Sequence, residues 1–235
     1  MRIRSKDILY EDKEIVVCRK RAGIAVQTAR LGEPDMETEL KKYFRAPYMT
    51  AVHRLDQPVE GVLVFARTKK AAADLNRQSR EQAMNKQYYA VVLLDGAEAP
   101  EGKNTLADYL ERDGKTNISK VTGEGNGKYA ELSYEILKKR KAEEGEPETA
   151  LVRIWLKTGR HHQIRVQMAN AGMPLLGDVK YGSERSKEYS RRERVRNTAL
   201  CAYGLEFGHP GTGKKMRFDI MPSEAVFLPF LPVNT

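Results

Sequence analysis

The sequence has few cysteines and no long apolar run. Only Cys18 and Cys201 occur in 235 residues, and they form no CxxC pair. A disulfide framework is therefore not expected, and a reducing cytoplasm suits this composition. No apolar run approaches the roughly 20 residues that a membrane-spanning helix needs, and no apolar core follows the first residues as in a signal peptide. We expect a cytoplasmic protein without a membrane partner.

Residues suited to metal or nucleotide binding are also scarce. The chain has four histidines and no HExxH pair. The adjacent His161 and His162 are expected to point apart, because neighbours lie on opposite sides of a strand and do not share a helix face, so we predict no metal site. Residues 208–215 approach a P-loop, but Lys215 stands where the magnesium-binding Ser or Thr belongs, and a strand-like alternation follows. We expect a glycine-rich hairpin turn there, with no nucleotide and no other cofactor.

Positive charge is in excess. Lysine and arginine number 41 against 32 aspartates and glutamates, a formal charge of +9. This indicates an anionic partner, nucleic acid first. Residues 95–128 are rich in glycine with lysines interspersed, and residues 183–197 hold six basic residues between 185 and 196. We interpret both segments as loops that face the substrate.

Hydrophobic periodicity predicts short strands throughout, with only two or three helices between them. The predicted strands are residues 8–10, 14–18, 61–67, 86–94, 129–137, 149–156, 199–207 and 216–220. The predicted helices are residues 36–44 with Asp35 as N-cap, 68–84 with Thr68 as N-cap, and 162–171 followed by Gly172. No repeat or long linker is visible. The pattern predicts a single domain over residues 1–235, an α+β fold with a mixed, mostly antiparallel sheet and flanking helices.

The stretch His53-Arg54-Leu55-Asp56, followed by Gly61 and an apolar run, sets a carboxylate beside a guanidinium before a buried strand. Such an aspartate is ordinarily half of a structural ion pair. Alternatively it is a nucleophile or base, because a carboxylate that is desolvated yet kept charged by a cation attacks carbon well.

The second dense stretch, residues 157–165, contains two cations that suit this role. Arg165 lies in the first turn of the predicted helix and is the candidate partner of Asp56. Arg160, in the preceding turn, is a candidate for phosphate contact. The alternative for Arg165 is a position on a solvated helix face.

Two adjacent tyrosines, Tyr88 and Tyr89, lie in the strand predicted at residues 86–94. Alternation sends them to opposite faces, which indicates one ring in the core and the other at the rim. Alternatively, one ring packs against an extruded base and its hydroxyl takes part in hydrogen bonding or proton transfer.

Five blocks in order resemble the motifs of the RluA-type pseudouridine synthases, which isomerise uridine in ribosomal or transfer RNA. The blocks cover most of the chain and are Lys20-Arg21-Ala22-Gly23; His53-Arg54-Leu55-Asp56 with Gly61; Lys86 with Tyr88, Ala90 and Val92; Thr158-Gly159-Arg160 with His162-Gln163-Ile164-Arg165, continued by Gly177-Asp178 and Tyr181-Gly182; and Leu200 with Ala202, Phe207, His209 and Pro210. One such block is a weak signal, but five in this order are specific.

The resemblance implies a pseudouridine synthase-like fold with a central cleft between two half-sheets, and a catalytic role for three residues. Asp56 is the implied nucleophile or base, Tyr88 contacts the target base, and Arg165 pairs with Asp56. The implied substrate-binding residues are His53, Arg54, Arg160, His162, Gln163 and Ile164. The implied partner is ribosomal or transfer RNA, and the implied reaction needs no metal. We take a monomer as the default oligomeric state.

The chain departs from the family pattern after Asp56. Gln57-Pro58-Val59-Glu60 stands where Arg-x-Thr-Ser is common, and Glu60 adds a negative charge near the site. The resemblance starts almost at residue 8, so no S4-type RNA-binding module is expected before it. A second hypothesis is a catalytically inactive RNA-binding protein of the same fold, such as a ribosome-assembly factor. The presence of Asp56, Tyr88 and Arg165 together favours the enzyme.

Overall fold

A computed structural model describes residues 3–28, 32–95, 100–140 and 147–232. The strands are β1 (Ile8–Glu11), β2 (Ile15–Lys20), β3 (Thr50–Ala51), β4 (Glu60–Ala66), β5 (Asn85–Leu93), β6 (Lys103–Asp113), β7 (Ile118–Thr122), β8 (Lys128–Arg140), β9 (Thr149–Leu156), β10 (Leu200–Gly208) and β11 (Lys215–Asp219). The α-helices are α1 (Met36–Phe44), α2 (Lys69–Arg80), α3 (Gln163–Asn170) and α4 (Glu184–Arg192), and short 3₁₀ helices cover Ser5–Asp7 and Ala225–Phe230.

The chain forms two compact units. The first contains the residues up to Lys86 together with Ala202–Met221. Its strands run in the order β1-β2-β4-β10, with β3 beside β4 and β11 beside β10. Its core packs α2 on β2 and β4 through residues that include Ile15, Val64, Leu75 and Phe207. All seven residues of β4 are buried, as its continuous apolar run predicts.

The second unit contains Gln87–Cys201 and the residues from Pro222 onward. Its strands run in the order β5-β9-β8-β6-β7, and each of these neighbouring pairs is antiparallel. The predicted hairpin of residues 129–137 and 149–156 is confirmed as β8 and β9, with Ser133 opposite Trp155. The mixed α+β class and the mostly antiparallel pairing are therefore confirmed. That the two halves share a cleft stays a prediction.

Side-chain caps start the helices where the sequence indicates. Asp35 Oδ1 accepts the Thr38 amide at 2.8 Å, and Thr68 Oγ1 accepts the Ala71 amide at 3.0 Å. The helix predicted to reach residue 84 ends at Arg80, because Gln82 has a left-handed backbone with φ of 58°. A glycine commonly marks such an ending, and none stands here.

The interpretation of residues 95–128 as loops was wrong for most of the segment. Residues 103–113 and 118–122 form the β6–β7 hairpin, joined by a short turn, while residues 96–99 lie outside the described part. The strand pattern is weak because β6 is exposed on one face and mostly only half-buried on the other. Apolar alternation, the usual sign of a strand, is therefore muted.

The interpretation of residues 183–197 as a loop was wrong too, since α4 occupies most of it. Ser183 caps the helix by accepting the Ser186 amide at 3.2 Å. The buried face of α4 consists of Ser186 and Ser190 rather than apolar residues, so periodicity does not reveal it. The arginines of this segment are exposed.

The prediction of a hairpin turn at residues 208–215 is confirmed. Strands β10 and β11 pair antiparallel on either side of it, and the His209 amide donates to the Lys214 carbonyl at 2.8 Å. Across the described residues, no helix has the length and apolar character that crossing a bilayer requires.

Candidate active site

Asp56 lies half-buried in the loop that joins β3 to β4, in the first unit. The buried side chains of Leu55 and Val59 anchor this loop on either side of it. The Val59 amide donates to the Asp56 carbonyl at 3.0 Å and closes a tight turn. The carboxylate is thus carried on a short, anchored loop, which suits a group that must keep one orientation.

Lys20, at the end of β2, fixes the position of this loop through hydrogen bonds to backbone carbonyls. Its side chain is fully buried, and its ammonium donates to the carbonyls of Ile24 at 2.7 Å, Gln57 at 3.0 Å and Arg21 at 3.2 Å. The Gly23 amide also donates to the Gln57 carbonyl at 2.8 Å. The Lys-Arg-Ala-Gly block and the residue after Asp56 are therefore joined by one hydrogen-bond network around the buried Lys20 side chain.

The same lysine is electrostatically linked to Asp56. Burial lowers the pKa of Lys20 to about 7, while the negative charges of Asp56 and Glu60 oppose this shift. Sequence reasoning identified the Lys20 block as a motif but gave this lysine no role.

Glu60 brings no unbalanced charge to the site. It is buried and forms an ion pair with Arg19 at 3.0 Å.

Gly61, which follows Glu60, has a φ of 153°, and a Cβ there would lie 2.4 Å from the Cβ of Ala202 on β10. The glycine of this motif therefore permits β4 and β10 to pack closely.

His53 and Arg54 differ in environment. Arg54 is exposed, as a substrate contact requires. His53 is half-buried, and its Nε2 atom is buried with no hydrogen-bond partner among the described residues. Burial, and secondly the positive charge of Lys86, hold the pKa of His53 well below its ordinary value. His53 is therefore a neutral imidazole at neutral pH.

Arg165 lies in the first turn of α3, in the second unit, and is buried. It forms a two-point ion pair with the buried Asp178: Nε lies 2.7 Å from Oδ2, and Nη2 lies 2.7 Å from Oδ1. Asp178 Oδ1 also accepts the amides of Lys180 at 3.0 Å and Tyr181 at 3.2 Å. Such a bidentate pair fixes the plane of the guanidinium. The Gly177-Asp178 block, to which sequence reasoning gave no role, holds Arg165.

Tyr181 holds Arg165 from a second side. Its ring centre lies 5.1 Å from the guanidinium carbon of Arg165. Its hydroxyl accepts the Ser119 amide at 2.8 Å and lies 2.6 Å from Nδ1 of His162. Tyr181 therefore connects β7, the start of α3 and the arginine.

The expectation that His161 and His162 point apart was wrong. Their rings stack with centroids 3.7 Å apart, because His162 has a left-handed backbone with φ of 55° and the pair lies in a turn. Nδ1 of His161 lies 2.8 Å from Oγ of Ser119. Among the described residues no group of three or more His, Cys, Asp or Glu side chains has a metal-binding arrangement.

Residues 157–165 contain three further residues that the resemblance implies contact the substrate: Arg160, Gln163 and Ile164. Gln163 is buried, and its side chain bonds to the Glu131 carbonyl, to Thr158 Oγ1 and to the Arg160 amide. Ile164 is buried beside it, whereas Arg160 is exposed. The described bonds of Gln163 hold the turn before α3, and its contact with substrate stays a prediction.

Tyr88 and Tyr89 lie on β5 opposite Ile154 and Arg153 of β9. Their exposed fractions are 6% and 4%, so the interpretation that one of them lies at a rim was wrong. Tyr88 and Arg165 belong to the second unit and Asp56 to the first. The pairing of Arg165 with Asp56 stays a prediction.

Comparison with known proteins identifies the family. The profile of the RNA pseudouridylate synthases matches residues 14–170. The chain is 32% identical over 231 residues to the ribosomal large subunit pseudouridine synthase C of Buchnera aphidicola subsp. Schizaphis graminum. The aligned region covers 96% of this chain and 69% of that protein. It is 34% identical over 209 residues to the dual-specificity RNA pseudouridine synthase RluA of Vibrio parahaemolyticus, and this alignment covers 87% of this chain and 78% of that protein.

Solved structures agree with this result at the level of the fold. Human RNA pseudouridylate synthase domain containing 1 has a TM-score of 0.73 at 24% identity, covering 98% of this chain and 89% of that one. The human domain containing 4 protein has a TM-score of 0.70 at 21% identity, with 94% and 90% covered. The chain belongs to the RNA pseudouridylate synthase family. The predicted family, fold class and enzyme class are confirmed.

Proposed function

We propose that this pseudouridine synthase acts on large-subunit ribosomal RNA and that Asp56 performs the chemistry. The relatives named as ribosomal large subunit synthases support this substrate. One relative is named a dual-specificity enzyme, so transfer RNA is the second substrate to test. The chain spans about two thirds of the length of the synthase C relatives.

The observation that carries the assignment of Asp56 is its setting. The Asp56 carboxylate is half-buried on an anchored loop. Its negative charge interacts electrostatically with the buried ammonium of Lys20. Such a carboxylate can attack the sugar C1′ as the bond to uracil N1 breaks, or remove the C2′ proton. The uracil then turns and its C5 bonds to C1′, while the carboxylate leaves C1′ or the C2′ proton is returned to the sugar. C5 loses its proton and N1 gains one, so the nucleotide keeps its composition. Tyr88 contacts the base, and Arg165 supplies positive charge to the carboxylate.

The target uridine must leave any base pair before it can react, at a cost of a few kcal/mol. Exposed arginines on and after α4, such as Arg191, Arg192 and Arg194, can offset this cost through phosphate contacts. The remaining predictions of a monomer and of a cytoplasmic location are part of the same proposal. Sedimentation of the purified protein and cell fractionation test them.

The test is a map of pseudouridine in ribosomal and transfer RNA from cells that lack the gene. Cells rescued with the wild-type gene should regain each missing site, and cells rescued with Asp56→Asn should not. The asparagine keeps the size of the side chain and removes its charge, and equal protein levels control for folding. Rescue by Asp56→Asn would overturn the role of Asp56. An unchanged map in the deletion strain would instead favour an RNA-binding protein without catalytic activity.

A further inference from the structure

A groove of about 650 Å³ lies in the second unit, between the β6–β7 hairpin, the start of β8 and the turn before α3. Three cationic side chains line it: Arg112, Lys128 and Arg160. All three are exposed. A volume in this range suits a small ligand or a short stretch of a flexible polymer.

The described contacts leave the charge of the two guanidinium groups intact. Arg112 donates to the side-chain carbonyl of Asn117 at 2.8 Å. Arg160 donates through Nε to the backbone carbonyl of Tyr129 at 2.8 Å. Both acceptors are uncharged, so these bonds orient the groups without neutralising them.

The acidic side chain in the lining is countered from outside the groove. Glu111 is the one carboxylate among the described residues of the lining, and it lies 3.1 Å from the ammonium of Lys120. The groove therefore keeps a net positive charge and attracts an anion.

One wall also carries a planar ring. His161 lines the groove, and its imidazole is fixed by stacking on His162 and by its bond to Ser119. Positive side chains beside a fixed ring are the combination that binds single-stranded nucleic acid, because phosphates and bases are both contacted.

We propose that this groove binds a single-stranded stretch of the RNA substrate, with Arg112, Lys128 and Arg160 at phosphates and the ring of His161 against a base. This inference rests on the proposed function, because the polyanion is the RNA on which the enzyme acts. A duplex RNA is the competing ligand, and the test separates the two.

The strand β8 offers a matched pair of variants. Lys128 and Lys139 are both exposed on it, and at about 3.3 Å per residue they lie roughly 35 Å apart. Lys128→Glu places a negative charge in the groove, and Lys139→Glu places the same charge at the far end. The probe is a fluorescein-labelled oligouridylate of about ten nucleotides, compared with a duplex of equal length, and binding is measured by anisotropy across a salt series.

Lys128→Glu should weaken binding of the single strand about tenfold and lower the slope of log K against log salt by about 0.7 or more. Lys139→Glu should change neither by more than about twofold, and Arg112→Glu should behave as Lys128→Glu does. Equal losses in Lys128→Glu and Lys139→Glu, no loss in either, or tighter binding of the duplex would overturn the proposal. Lys128→Gln, which removes the charge without reversing it, should give a smaller loss in the same direction.

Turnover on ribosomal RNA keeps the two proposals apart. If the wild type forms pseudouridine while Lys128→Glu and Lys139→Glu bind the oligouridylate alike, the groove proposal fails and the function stands. If Lys128→Glu alone loses binding and the wild type forms no pseudouridine in any RNA, the groove stands and the function fails.

Discussion

The ammonium of Lys20 lies 3.0 Å from the carbonyl oxygen of Gln57, the residue that follows Asp56. This bond ties the loop of the candidate nucleophile to a fully buried cation at the end of β2. If the side chain were apolar, the carbonyls of Arg21 and Ile24 would lose the hydrogen bond from Lys20, and the Gln57 carbonyl would keep only the Gly23 amide. Lys20 therefore determines both the stability of the loop and the position of Asp56.

Lys20→Met should lower the free energy of unfolding by roughly 2–4 kcal/mol, because three backbone carbonyls each lose a hydrogen bond from the buried ammonium. Turnover should fall at least tenfold, because a small displacement of a reacting group has a large effect on rate. Urea denaturation and the rate of pseudouridine formation measure the two effects. Lys70→Met, an exposed lysine of α2, is the control and should change neither. Wild-type turnover in Lys20→Met would remove Lys20 from the site.

The pH dependence of stability gives a second test of Lys20. Burial lowers its pKa to about 7, from an ordinary value of 10.5. Between these values the unfolded chain binds a proton that the folded chain does not, so the free energy of unfolding rises with pH. This contribution is therefore lost progressively as the pH falls from 10.5 to about 7. Urea denaturation between about pH 7 and 9 should show a rise of up to a few kcal/mol that Lys20→Met lacks. Parallel pH profiles of the wild type and Lys20→Met would mean that the surrounding carbonyls keep the Lys20 ammonium charged across this pH range.

The buried pair of Arg165 and Asp178 should be sensitive to loss of one charge. Asp178→Asn removes the carboxylate that forms the bidentate pair with the buried guanidinium, so the expected destabilisation is about 3–5 kcal/mol. Turnover should fall as well, because the plane of Arg165 is no longer fixed. The control is Glu193→Gln, whose partner Arg192 lies 3.2 Å away with both side chains about half exposed. That surface pair should contribute about 0.5 kcal/mol. Thermal unfolding of the two variants compares them, and equal shifts would refute the structural role of Asp178.

The sequence predicted the strands, the helix caps and the family because each depends on a local pattern. The N-caps Asp35 and Thr68 and the hairpin of β8 and β9 are of this kind. It did not predict α4, whose inward face is serine, or the β6–β7 hairpin, which buries little apolar surface. Periodicity reports burial of apolar groups and is silent where polar groups are buried.

The candidate site shows the same division. Asp56, Tyr88 and Arg165 were found through motifs, but the residues that hold them were not. Lys20 and Asp178 act through hydrogen bonds and charge across 37 and 13 residues of chain respectively. Neither a periodicity nor a single spacing identifies such partners, because the fold brings them together. Their membership of the family blocks was the one signal available.

Gly177, next to Asp178, permits the close approach of two backbone segments. Its φ is 72°, and a Cβ there would lie 2.0 Å from the carbonyl oxygen of Asn197. Gly177→Ala combines a left-handed backbone with a clash against main chain, so we expect a loss of roughly 3 kcal/mol or more of unfolding free energy.

The matched variant is Gly114→Ala in the turn after β6, where a Cβ meets nothing within 4 Å and φ is not positive. There the alanine should be neutral or should stabilise by up to about 1 kcal/mol, because it restricts the unfolded chain. Urea denaturation of both variants measures the difference. Because the Gly177 turn also positions Asp178, Gly177→Ala should reduce turnover at temperatures where the protein is still folded. Equal stabilities of the two variants would mean that the backbone around Asn197 moves aside without cost, and that Gly177 has no part in holding Arg165.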